Sequence, residues 1–129
     1  MKQISYSDID IVLRPWAVAH RLNILTDCKG EETRAMFLVD PWGDEYELYA
    51  VPDWDNNKTA VAVGADLIKR GNKKHTFYRE RKEYHHRQSV TLTDLGDALD
   101  EAWETIERWS AQTQNKRSAK QTKDSHGSR

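Results

Sequence analysis

The sequence predicts an α+β fold, a small antiparallel sheet of three to five strands flanked by an N-terminal and a C-terminal helix. Three observations carry this. Leu95, Leu99, Ala102 or Trp103, Ile106 and Trp109 recur at the spacing of one helical face. DEYELYAV alternates side by side, with Tyr46, Leu48 and Ala50 on one face and Glu45, Glu47 and Tyr49 on the other. The segments between the N-terminal helical pattern and residue 95 are short, rich in aromatic and β-branched residues, and punctuated by Gly, Pro and Asn, as in a meander.

Taken in order, Ile9, Leu13, Trp16 and Ala19 or His20 have helical spacing. Pro15 has no backbone N–H and fits best as the first residue of a helix. A helix from about Pro15 to Asn23 is therefore expected, preceded by a short strand over Ile9, Ile11 and Leu13. TDCKGEE (26–32) reads as a turn and RAMFLVD as a strand ending at PWGD, where Pro41 and Gly43 supply a tight turn into DEYELYAV. That strand ends at Pro52. DWDNN is a second polar turn, TAVAV has strand composition, and GADLIKRGNKK reads as a loop or a single helical turn. HTFYRER and HHRQSVTL complete the strand-like segments. Thr93 is the expected N-cap of the last helix, with Asp94 and Asp97 where the helix dipole favours anions. Both helices are expected on one sheet face.

A chain of 129 residues is the size of one domain, and five Trp, five Tyr and two Phe supply the apolar surface for its core. Residues 1–110 read as a single α+β domain. Residues 111–129, AQTQNKRSAKQTKDSHGSR, hold five Lys/Arg and one Asp and lack Val, Ile, Leu, Met and aromatic side chains. Such a segment buries too little to offset its ordering entropy, so a basic, disordered tail is expected. The lone Cys28 excludes an internal disulfide framework and a thiolate-rich zinc site. It fits a reducing compartment, and a cytoplasmic protein is expected, because MKQISYSDID turns acidic where a signal peptide would be apolar. No run of the sequence is apolar for long enough to cross a bilayer.

The formal net charge of −1 conceals a division. KRGNKKHTFYRERKEYHHRQ (69–88) holds eight Lys/Arg against two Glu, and setting aside its +6 and the tail's +4 leaves −11 for the remainder. Lys69, Arg70, Lys73, Lys74, Arg79, Arg81, Lys82 and Arg87 can neutralise phosphates, while Phe77, Tyr78 and Tyr84 can stack on unpaired bases. The competing account is a charged edge strand that keeps sheets from associating. Nucleic-acid contact through residues 69–87, in a small non-enzymatic binding or regulatory accessory protein without a cofactor, is the expected function.

Two other functions compete. The acidic face of the last helix (Asp97, Asp100, Glu101, Glu104, Glu107), with the DEYE strand and Trp42 and Trp54, suits an inhibitor or immunity-type protein steered onto a basic protein partner. Pro52 and Asp53, followed by Glu80, Arg81 and Lys82, resemble the PD-(D/E)xK nuclease pattern. That resemblance implies a divalent metal held by Asp53 and Glu80, with Lys82 assisting the attacking water and Asp8 or Asp10 as a third carboxylate. It covers only the pattern residues, and a strand-like segment follows Lys82 where that family places a helix. His85 and His86, adjacent on a strand, point to opposite faces and cannot readily share an ion, so no metal is expected of them.

Overall fold

The computed structural model describes residues 2–71 and 84–127, with side chains in the second stretch as far as Thr113. Helix α1 (Tyr6–Ala19) leads into five strands, β1 (Leu25–Cys28), β2 (Glu31–Val39), β3 (Glu45–Pro52), β4 (Val61–Lys69) and β5 (His85–Val90). A 3₁₀ turn over Leu92–Asp94 then opens α2 (Leu95–Gly127). The strands form one antiparallel sheet in sequence order. The α+β prediction is met.

The N-terminus departs from expectation. Residues 9–13 are not a strand and Pro15 does not start the helix, because Ser5 and Asp8 form a reciprocal capping box that begins it at Tyr6. Pro15 lies inside α1 on its exposed side, where the carbonyl left without its N–H partner can be hydrated. Ile9, Leu13 and Ala17 form the buried stripe. His20 caps the C-terminus, its Nδ1 2.8 Å from the Trp16 carbonyl and its ring stacked on the Trp16 indole.

The expected turn over residues 26–32 is shorter than its composition suggests. Lys29 and Gly30 both have positive φ, 53° and 83°, the geometry of a two-residue hairpin turn whose twist matches the flanking strands. Pairing thus extends to Cys28 and Glu31. The second departure is larger: Gly64–Lys69, expected as loop or helical turn, continues β4, since β3 flanks it throughout and β5 pairs with it as far as Asp66. The third is at α2, where Thr91 rather than Thr93 precedes the 3₁₀ turn and the α-helix starts at Leu95.

Both helices pack on one face of the sheet in a single core. Ile9 and Leu13 from α1, Leu48 and Val63 from the sheet, and Leu95, Leu99, Ala102 and Ile106 from α2 all belong to it. Tyr46, Leu48 and Ala50 are buried, as the alternation of DEYELYAV requires. Arg34 of β2 also points to this side, where its guanidinium is held by the Asp10 carboxylate of α1 (Nε to Oδ1 2.7 Å) and lies 4.7 Å from the Tyr6 ring centre. That pair lowers the Asp10 pKa, chiefly through the Arg34 hydrogen bond. α2 is continuous past Ser110, and Thr113 is buried with its hydroxyl donating to the Trp109 carbonyl at 3.0 Å. The expectation of a disordered tail otherwise concerns residues whose side chains are outside those described. No described helix is long and apolar enough to cross a membrane.

Candidate nucleic-acid interface

Of the predicted contact residues, Lys73, Lys74, Phe77, Tyr78, Arg79, Arg81 and Lys82 lie outside the described residues, as do Glu80 and the proposed strand HTFYRER. Lys69, Arg70, Tyr84 and Arg87 are described, and they frame the segment. Lys69 closes β4 opposite Glu45. The N–H of Gly71 donates to the buried Asp44 carboxylate at 2.6 Å, which fixes where the chain leaves the sheet. It returns at Tyr84, just before His85 pairs with Asp66.

Departure and return are joined by side chains. The Arg70 guanidinium sits 5.0 Å over the Tyr84 ring, and Tyr84 meets Trp109 of α2 edge to face at 5.9 Å. Trp109 in turn stacks on Tyr46 at 6.3 Å. Beside this row, Asp40 opens the β2–β3 connection. Its Oδ1 accepts the N–H groups of Trp42 and Asp44, and its Oδ2 accepts the Ser110 hydroxyl at 2.8 Å. Burial, with the charges of Asp40 and Asp44, raises the Tyr46 hydroxyl far above its ordinary pKa, so it stays a neutral donor. The +6 segment and the +4 tail therefore start from one end of the domain, tied together through Arg70, Tyr84 and Trp109.

Arg87 lies elsewhere, on the sheet face away from the helices. It reaches the Tyr49 hydroxyl at 3.5 Å and the Asp53 carboxylate at 3.4 Å. The Tyr49 ring lies over Gly64, where any Cβ would overlap it. Burial raises the Tyr49 pKa, opposed by the hydrogen bond from Arg87. Next along the same face, the buried Asp66 carboxylate bonds to His85 Nδ1. His85 and His86 do face opposite sides, the first exposed and the second half-buried toward the helices. This cross-strand group was missed from sequence, although Gly64 inside the apolar run and Tyr49 on the polar side of its strand were signals of it.

The carboxylates of the nuclease pattern are engaged where described. Asp53 faces Arg87, Asp8 caps α1, and Asp10 holds Arg34. Asp53 follows the Pro52–Val61 pair, whereas Gly71 and Tyr84 flank the Asp66–Lys69 end of β4, the opposite end of a nine-residue strand. Among the described residues no group of three or more His, Cys, Asp or Glu converges to hold a metal. On α2, Asp97, Asp100, Glu101, Glu104 and Glu107 are exposed, Asp100 accepting from the Trp16 indole and Glu101 from Gln88. Trp54 is 44% exposed with its indole N–H on the Ile4 carbonyl, and Trp42 is half-buried. No protein-family model, curated protein or solved structure matches the chain.

Proposed function

We propose that this is a small non-enzymatic binding protein that contacts nucleic acid through a basic pole made of residues 69–87 and the tail 111–129. The observation that supports it is the junction of Arg70, Tyr84 and Trp109, from which both cationic stretches start. Together they carry +10 against −11 for the remainder, so the molecule is a dipole that meets a polyanion pole first. A charged edge that merely prevents sheet association would not need the tail at the same end.

Fluorescence anisotropy with labelled nucleic acid over a range of salt tests this reading. Each neutralised phosphate releases a counterion, so log affinity should fall with log salt at a slope of about −0.7 to −0.9 per contact. Neutralising Lys73, Lys74, Arg79 and Arg81 should flatten the slope, and removing 114–129 should flatten it further. A folded protein that binds no nucleic acid at low salt would refute the proposal.

The exposed carboxylate row of α2 favours a second reading, a basic protein partner. It demands that charge reversal at Asp100, Glu104 and Glu107 slow association with that partner while nucleic-acid binding is absent. The nuclease reading has less support, with Asp53 turned to Arg87, and would require Mg²⁺-dependent cleavage abolished by Asp53→Ala.

A further inference from the structure

On the helix side of the sheet a cleft of about 240 Å³ lies between α2 and the adjoining ends of β2 and β3. Leu38 and Tyr46, partners across those strands, line it from the sheet, and Trp103 and Ile106 line it from α2. The Trp103 indole is held by α1, with the Trp16 and His20 rings edge-on to it at 6.0 and 4.8 Å. The polar groups of the cleft are of one kind. The half-buried Asp40 carboxylate takes two backbone N–H groups on Oδ1, and on Oδ2 the Ser110 hydroxyl at 2.8 Å and the Tyr46 hydroxyl at a long 3.5 Å. These donors are neutral, so the carboxylate keeps its charge, and the long Tyr46 contact leaves Oδ2 room for a further donor. Asp10 is met by Arg34 and Asp53 by Arg87, but no ion pair forms on Asp40 among the described residues. Glu107, exposed at the lip of the cleft, is likewise without an ion pair among them.

We propose that this cleft binds a small amphipathic amine, its apolar body against Trp103 and Leu38 and its ammonium on Asp40 and Glu107. The inference stands apart from the nucleic-acid reading. The Ser110 and Tyr46 hydroxyl protons are committed to Asp40, so what the lining side chains offer a ligand is anionic acceptors, which an ammonium answers and a carboxylate or phosphate does not. An indole among the walls also attracts a cation. The volume, below the roughly 300 to 1,000 Å³ of drug-sized sites, sets the size of the ligand. The surrounding charge sets its valence. The cationic stretches 69–87 and 111–129 start from this end of the domain and repel a polycation, whereas a single ammonium pays that repulsion once and gains both carboxylates at contact range.

Phenethylamine, 2-phenylethanol and phenylacetate share an apolar body and differ in charge, so NMR titration of the full chain with each decides the matter. The amine should give saturable shifts of the Trp103 indole and Ser110 amide signals, the alcohol should bind about fivefold more weakly, and phenylacetate should not bind. Glu107→Gln, at an exposed position, should weaken the amine about twofold to fivefold, the range of an exposed ion pair. Ala111→Leu, exposed on the lining of the cleft, should weaken it by narrowing the space. Asp40→Asn should weaken it about tenfold; if that variant does not fold, the other two decide. No saturable shift with the amine, equal binding of amine and alcohol, or wild-type affinity in both Glu107→Gln and Ala111→Leu would overturn the inference. Tighter binding of octalysine than of the amine at the same signals would mean that a basic protein is the occupant, and would overturn it too. Each of these results leaves the nucleic-acid reading standing, since that reading falls only if the chain binds no nucleic acid.

Discussion

Replacing Asp10 with Asn tests how α1 is fastened to the sheet. Arg34 is a cation with only 6% of its side chain exposed, and Asp10 meets it with two contacts, Nε to Oδ1 at 2.7 Å and Nη2 to Oδ2 at 3.1 Å. Asn keeps the shape but offers one acceptor, and turns an amide donor or a weaker neutral oxygen toward a guanidinium that only donates. Breaking one side of a buried pair costs about 3 to 5 kcal/mol. Glu32, 57% exposed, still reaches Nη2 at 3.1 Å and the Thr33 carbonyl still accepts from Nη1 at 2.7 Å. The expected loss is therefore about 2 to 4 kcal/mol, or roughly 10 °C in Tm for a domain of this size. Urea unfolding followed by tryptophan fluorescence measures it, and Asp10→Asn with Arg34→Met should recover much of the loss, because it removes the stranded charge. The pH dependence has a definite sign. Asp10 has a folded pKa below its unfolded value of about 3.9, so its contribution is complete above that pH and is lost as pH falls through the lower folded value. The gap between wild type and Asp10→Asn should close in that acid range. Asp8, whose pKa is also lowered, mainly by the Ser5 backbone hydrogen bond, is present in both proteins and cancels. A variant within about 0.5 kcal/mol of wild type at pH 7, or a gap that persists in acid, would refute the reasoning.

Gly64→Ala should destabilise by about 1 to 3 kcal/mol, because its methyl would overlap the Tyr49 ring, and the same change should be nearly harmless in a Tyr49→Ala background; equal costs in the two backgrounds, by urea melts, would show that the ring does not rest there. Ending the chain after Thr113 should leave Tm within a few degrees of the full chain, whereas ending it after Ser110 removes a residue only 5% exposed and should cost about 1 kcal/mol more. Matching melting curves for the two truncations would rule out a contribution from Thr113, and a large drop on the longer one would mean that residues 114–129 dock.

The repeating elements could be read directly. The stripe from Leu95 to Trp109 and the alternation from Glu45 to Pro52 became α2 and β3, with the buried residues those periods select. Periodicity is local: once a segment is helix or strand, its own geometry decides which side chains share a face. The partition of charge was equally legible, being a property of composition. Other features depended on partners distant in sequence. Pro15 is tolerated within α1 because the capping box starts the helix upstream and the proline faces water. Gly64–Lys69 is strand because its neighbours supply the pairing, which overrides weak local propensity. Arg34 is buried because Asp10, 24 residues away in the chain, meets it. The meeting of Arg70, Tyr84 and Trp109, and the seat of the Tyr49 ring over Gly64, likewise exist only once register is set. A slip of a single residue would send strand side chains such as Arg34 and Tyr49 to the other face, and register is decided by the whole sheet packing against both helices rather than by any one segment.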